Sequence, residues 1–220
     1  MAIKAILMDL DGTLIDSIPL ILASVEQTVK HFGFKCSKQK LRELAQMHSR
    51  DIAYYFMDTT KKNFNPHDFV NYRRKTFLAL LEKKQKTWFD DAKPFIKKMS
   101  KKYKLAIVTG SRRVFIDAVF DAGTKSKLEC IITSDDVEHK KPDIEPLEKA
   151  LGKVRAKKDE VVFIGDSTQD ALMCQRFGIS FIGKTTGIST NFQLKKYNPI
   201  KIIKNFSEIE EFLGRVNNGF

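Results

Sequence analysis

Asp9-Leu10-Asp11-Gly12-Thr13 follows a short apolar run, Ile3–Met8, so two carboxylates one residue apart leave a strand end on the same side, and the glycine releases the chain into a turn. Three later segments stand in the same relation to an apolar run. Leu105–Val108 leads into Thr109-Gly110-Ser111, whose hydroxyls and free backbone N–H groups ahead of a helix suit a phosphate. Cys130–Thr133 is followed by Lys140-Lys141-Pro142-Asp143, a cation ahead of a helix start marked by Pro and Asp. Val161–Ile164 runs into Gly165-Asp166-Ser167-Thr168-Gln169-Asp170, with one carboxylate at the strand end and another a helical turn later. Taken singly, each segment has a structural use: a turn, a cap at Ser111 or Asp166, or a solvated lysine pair. Four in succession have another meaning, because parallel strand ends converge at one edge of a sheet, and all four carry groups suited to phosphoryl transfer.

The elements that must position these groups are legible in the same runs. With Ile179–Ile182 and Ile200–Ile203 there are six, each β-branched and bounded by Gly, Asp, Ser or Lys. Apolar runs without polar alternation are what strands covered on both faces require, and helix-length segments lie between them. The fold class is therefore α/β, a Rossmann-like three-layer core with a parallel sheet. The interval between the first two runs is far longer than the about 10 to 15 residues of one crossover helix. It reads as an inserted all-helical segment over 15–87, leaving 1–14 and 88–220 as the core. Apolar residues at helical spacing predict helices over Ile18–Phe32, Lys38–Gln46, Arg50–Met57 and His67–Lys86, with Ser17 and Pro19 starting the first and Ser37 and Ser49 capping the next two.

In order, DLDGT, VTGS, KKPD and GDSTQD resemble the four motifs of the haloacid dehalogenase (HAD) superfamily of phosphotransferases, and the helical insertion sits where that family's small cap does. The resemblance implies Asp9 as nucleophile, Asp11 as general acid and base, and Thr109 and Lys141 as holders of phosphate and nucleophile. Gly110 and Ser111 would bind substrate, and Asp9, Asp11, Asp166 and Asp170 would form the metal site, Asp170 in its outer shell. The chemistry is consistent: a phosphomonoester repels a carboxylate unless a divalent cation and a lysine neutralise the site, and all-oxygen donors suit Mg2+. Attack by Asp9 gives an aspartyl-phosphate. Asp11 would protonate the leaving alcohol and then take a proton from water, for which its pKa must be raised, and a neighbouring like charge pushes it that way. Dehalogenases of the superfamily lack the second aspartate, so Asp11 argues for phosphate chemistry.

The start of the insertion, DGTLIDSIPLILASVEQTV, is similar to phosphoglycolate phosphatases, although Asp90-Asp91-Ala92 stands where many relatives carry Pro-Gly. His48-Ser49-Arg50-Asp51 resembles the cap stretch by which sugar-phosphate mutases present an arginine to a distal anionic group. Arg50 is thus a candidate clamp, but the histidine those mutases carry ten residues after the second aspartate is Ile21 here. Inorganic pyrophosphatase and sugar-phosphate or nucleotide phosphatase are the alternatives within this chemistry.

Composition bounds the rest. At 220 residues, with 42% hydrophobic and 30% charged residues, the chain is neither collagen-like, disordered nor a disulfide scaffold. Cys36, Cys130 and Cys174 are dispersed, and no apolar run approaches a membrane span, so a soluble cytoplasmic protein is expected. The four histidines have no ligand partners by spacing. A net charge of +12, with 14 Lys and Arg against 7 Asp and Glu in 15–87, suits a small anionic phosphorylated substrate. A basic nucleic-acid-binding protein is the rival, without a recognisable module to support it, and a monomer or homodimer is expected.

Overall fold

The computed structural model describes residues 2–83 and 87–217. Its chain forms two compact units, Met1–Asp16 with Trp88–Phe220, and Ser17–Thr87. The first strand, β1 (Ala5–Met8), is followed by the second unit, which is helical throughout: α1 (Ile18–His31), α2 (Lys38–Ala45), α3 (Ser49–Thr60) and α4 (Pro66–Glu82). Residues 84–86, the last three of the fourth expected helix, lie outside the described residues. Val25 and Val29 of α1, Leu41 and Leu44 of α2, Ile52, Ala53 and Phe56 of α3 and Phe69 of α4 meet in one buried cluster. In α1, α2 and α3 these residues include pairs three or four apart, which gives each of those helices an apolar stripe, and α4 adds Phe69. Ser37 caps α2, accepting from the Lys40 N–H, and Asn65 caps α4 through the His67 N–H. Ser17 stands at the N-cap position of α1 with Pro19 in the first turn, the expected helix entry, although its side chain makes no capping bond. The expected cap at Ser49 is overturned: Ser49 lies inside α3, where its hydroxyl accepts from Arg73 at 2.9 Å.

The other unit holds β1 with β2 (Lys104–Val108), β3 (Cys130–Ile132), β4 (Val161–Gly165), β5 (Ser180–Lys184) and β6 (Lys201–Ile203). They form one sheet in the order β3-β2-β1-β4-β5-β6, every neighbouring pair parallel. Between them run α5 (Ala92–Met99), α6 (Arg113–Val119), α7 (Ala122–Lys125), α8 (Glu145–Val154), α9 (Thr168–Phe177), α10 (Asn191–Lys195) and, last, α11 (Ser207–Asn217). Ala5, Leu7, Ala106, Val108, Val161 and Phe163 pack one sheet face against α8, α9 and α10, while their alternates Ile6, Met8, Leu105, Ile107, Val162 and Ile164 are equally buried. Both faces are covered, which is why these strands show no polar alternation.

Two boundaries differ from the sequence reading. Ile15 stays with the sheet unit because it is fully buried and bridges both Asp11 and Trp88. The fifth strand continues two residues past Ile182, through Gly183 to Lys184, and so ends on a lysine that is only 1% exposed.

The strand order has a consequence for the site. The chain runs outward from β1 through β2 to β3, then returns to β4 on the other flank of β1. The carboxyl ends of β1 and β4 therefore lie side by side at the point where the order reverses, the crevice in which open α/β sheets bind ligands.

Candidate active site

Parallel pairing of Met8 with Ile164 brings the next residue, Asp9, beside the end of β4, and its N–H donates to the Ile164 carbonyl at 2.9 Å. Asp9 is buried, and its Oδ1 accepts from Lys141 Nζ at 2.7 Å. The same ammonium donates to Asp170 Oδ1 at 2.6 Å. Asp170 is fixed in turn by a capping box at the start of α9, where Ser167 caps the helix through the Asp170 N–H and Asp170 Oδ2 accepts from the Ser167 N–H and hydroxyl. The cap considered for Asp166 thus falls to Ser167, and Asp166 is left free for the site. Its Oδ1 accepts from Thr13 Oγ1 and its Oδ2 from the Ile188 N–H, each at 2.9 Å.

Asp11 leaves the same strand end on a different errand. Its Oδ2 accepts from Ser111 Oγ at 2.6 Å and from Thr109 Oγ1 at 3.4 Å, while Thr109 Oγ1 accepts from the Ser111 N–H. The cap of α6 is Arg112, which makes no side-chain capping bond, so Ser111 spends its hydroxyl on Asp11. Gly110 is exposed between them. Gly12 holds the turn at φ +77°, and a Cβ there would lie 2.6 Å from Asp166 Oδ2. Only glycine meets both demands.

Donor oxygens of Asp9, Asp166 and Asp170 lie within 4.8 Å of one another, all three buried, with Lys141 as the ammonium bonded to two of them. Burial and the charges of Asp170, Asp166 and Asp11 push Asp9 well above the usual carboxylate range against the pull of Lys141. Asp166 is raised to about 7 by burial and Asp170, with the Ile188 N–H, Thr13 and Lys141 opposing. Burial pulls Lys141 down, but Asp170 and Asp9 more than compensate and hold it charged, above its ordinary value. Three carboxylates against one buried ammonium leave a surplus of negative charge in a low-dielectric place, and hard oxygen donors suit Mg2+. The residues present fit that ion.

The four motifs therefore meet at one sheet edge, and the sequence reading brought the right segments together. It assigned no role to Thr13, nor to the stretch after β5, where the Ile188 N–H and Gly187 close on Asp166. A Cβ on Gly187 would lie 1.7 Å from Asp166 Oδ2, a close approach that no motif announced. His139, expected to lack ligand partners, stands within 4.8 Å of Asp143 and Glu145, because the turn before α8 folds back. Glu145 is already engaged by the Glu138 and His139 N–H groups and by Lys149. Arg50 lies exposed in the first turn of α3.

Residues 6–184 match the haloacid dehalogenase-like hydrolase family. The chain belongs to that family. Among its curated relatives are the pyrophosphatase PpaX of Anoxybacillus flavithermus, 32% identical over 97% of this chain and 98% of the relative, and that of Bacillus mycoides, 28% identical over 99% and 100%. A hydrolase from Pseudomonas syringae superposes with a TM-score of 0.81 at 20% identity, covering 96% of this chain and 98% of the other. A haloacid dehalogenase-like family hydrolase from Streptococcus pneumoniae gives 0.80 at 22%, over 96% and 98%. At such identities the two structures share this HAD fold. Among the described residues no helix is long and apolar enough to cross a membrane.

Proposed function

We propose that this phosphatase hydrolyses a small phosphate compound carrying a second anionic group, with Mg2+ held by Asp9, Asp166 and Asp170 and an aspartyl-phosphate formed on Asp9. The observation that carries it is the buried group of three carboxylates at the reversal of the sheet, two of them, Asp9 and Asp170, gripped by Lys141, with Asp11 held apart by Ser111. When bound, the ion offsets the negative charge that would otherwise keep a phosphate away.

The chain's own residues do the rest. A carboxylate oxygen of Asp9 attacks phosphorus, the bond from phosphorus to the leaving oxygen breaks, and Asp11 gives that oxygen its proton. Asp11 then takes a proton from water as the water attacks the phosphorus of the acyl phosphate, which releases inorganic phosphate and returns Asp9 as a carboxylate. Lys141, charged and fixed between Asp9 and Asp170, orients the nucleophile, and Thr109 with the exposed Gly110 backbone offers donors to the phosphoryl oxygens.

Full-length similarity to pyrophosphatases supports inorganic pyrophosphate as the substrate to try first. Phosphoglycolate is the second reading, supported by the resemblance at the start of the insertion. Both carry a second anionic group, the feature that a clamp such as Arg50 would read. Phosphate release with Mg2+ from pyrophosphate, phosphoglycolate, sugar phosphates and nucleotides ranks them. Asp9→Asn, which keeps the size and loses the nucleophile, abolishes turnover on all of them with unchanged circular dichroism; near-wild-type activity in this folded variant would overturn the mechanism.

A further inference from the structure

Lys184 has no part in that chemistry, yet it is among the most deeply buried charges of the sheet unit. It ends β5 at the same carboxyl edge, with its Nζ 4.2 Å from the Phe89 ring centroid and 4.9 Å from that of Phe206. Its ammonium donates to Thr186 Oγ1 at 2.7 Å. That hydroxyl has one hydrogen, and it donates it to the carbonyl oxygen of Gly12, also at 2.7 Å. Gly12 is the residue between Asp11 and Thr13. The chain Lys184, Thr186, Gly12 thus reaches the turn that carries the proposed acid and base from the side opposite Ser111. Thr13 ties the same turn to Asp166.

We propose that Lys184 is a positioning residue for catalysis, holding the Asp11-Gly12-Thr13 turn in register with Asp166 through the hydroxyl of Thr186. The inference rests on the roles given above to Asp11 and Asp166. A charge is a costly way to support a turn if stability is all that is gained. Burial lowers Lys184 to about 8 even with Asp91 and Asp166 attracting its proton, so the ammonium weakens the fold that contains it. A neutral side chain of the same length would pack between the two rings at less cost but could not polarise the Thr186 hydroxyl.

The distinguishing feature is therefore a variant that is no less stable and yet slower. Lys184→Met keeps the apolar stem and removes the donor. Thr186→Val keeps the shape and removes the link, and Thr186→Ser keeps the hydroxyl. Lys184→Met and Thr186→Val each lose about 10- to 100-fold in kcat with little change in KM, since a small misplacement of a catalytic group costs on that order. The double variant loses no more than the larger single one, because both act along one chain. Thr186→Ser recovers most of what Thr186→Val loses. Melting temperatures follow a different order: Thr186→Val falls, having stranded a buried ammonium, whereas Lys184→Met and the double variant do not.

Hydrogen exchange gives a readout that needs no substrate. The Gly12 and Thr13 amides bond within the turn, to Ile15 and Leu10, and exchange faster in both single variants if the tether is real. Wild-type exchange over Leu10–Ile15 in Lys184→Met, or a kcat that simply tracks melting temperature across the series, overturns the proposal. Faster exchange in an enzyme inactive on every phosphate compound tested overturns the catalytic reading instead and leaves the tether standing.

Discussion

Asp166 is the residue at which the demands of folding and of chemistry separate most clearly. In the metal-free chain burial and Asp170 raise it to about 7, above its ordinary 3.8. Between those values the folded protein holds a proton that the unfolded chain has released, so through this residue stability falls as pH rises across the window; Asp9, raised for the same first reason, acts in the same direction. A divalent cation that binds only the folded, ionised site reverses the loss. The metal-free melting temperature is expected to drop between pH 5 and pH 7.5, and the rise on adding Mg2+ to be larger at pH 7.5. Asp166→Asn should flatten much of that drop and abolish the Mg2+ effect. A Mg2+ shift as large at pH 5 as at pH 7.5 would remove the carboxylate cluster from consideration as the metal site.

The segment after β5 does at the scale of an element what the four motifs do residue by residue. Thr186 reaches Gly12, the Ile188 N–H reaches Asp166 Oδ2, and the Ser189 hydroxyl accepts from the Thr168 N–H at the start of α9. The segment fastens β1, β4 and α9 together just where the carboxylates converge. Gly187 makes this possible, since its Cα packs where any side chain would strike Asp166. Gly187→Ala is expected to weaken Mg2+ half-saturation or kcat about 10- to 100-fold, the usual cost of disturbing the support of a metal ligand, while the protein remains folded. A Mg2+ titration of activity checks it, and a wild-type curve would show that the approach is incidental.

For the whole molecule the division of labour between two units decides which experiment is informative. The sheet unit holds the proposed reacting groups, and the helical unit holds Arg50 and carries a concentration of positive charge. It also holds Arg73, lowered to about 10 by burial and bonded to Ser49 beside Arg50. If Arg50 clamps a second anionic group, Arg50→Ala reduces kcat/KM for pyrophosphate or phosphoglycolate about 10- to 100-fold, the worth of one charge-assisted hydrogen bond. A chromogenic monoester lacking that group loses far less. Comparing the two cancels any damage to the proposed core groups Asp9, Asp11, Lys141 and Asp166, which would act on both. Equal losses, or none, would leave the basic helices as solvated surface, since exposed charges are screened over about 8 Å at physiological salt.

Sequence alone determined the sheet, because six uninterrupted β-branched runs admit little besides strands covered on both faces, and it picked out the segments that converge at the candidate site, because the groups that follow parallel strands are brought to one sheet edge. Asp9, Asp11, Thr109, Lys141, Asp166 and Asp170 were all legible on that ground. The all-helical character of the insertion was legible too, from apolar stripes that recur at helical spacing. Tertiary structure decided what depends on neighbours distant in the chain: that Ser111 serves Asp11 and Ser49 serves Arg73 instead of capping helices, and that Ser167, not Asp166, starts α9. It also decided that Lys184 is interior. Nothing in its spacing from the apolar run marks it as buried, and the rings of Phe89 and Phe206, brought in from remote segments, help to take it out of water. A hydrogen-bond partner or a desolvated charge is fixed by proximity in space, and sequence spacing carries no record of it.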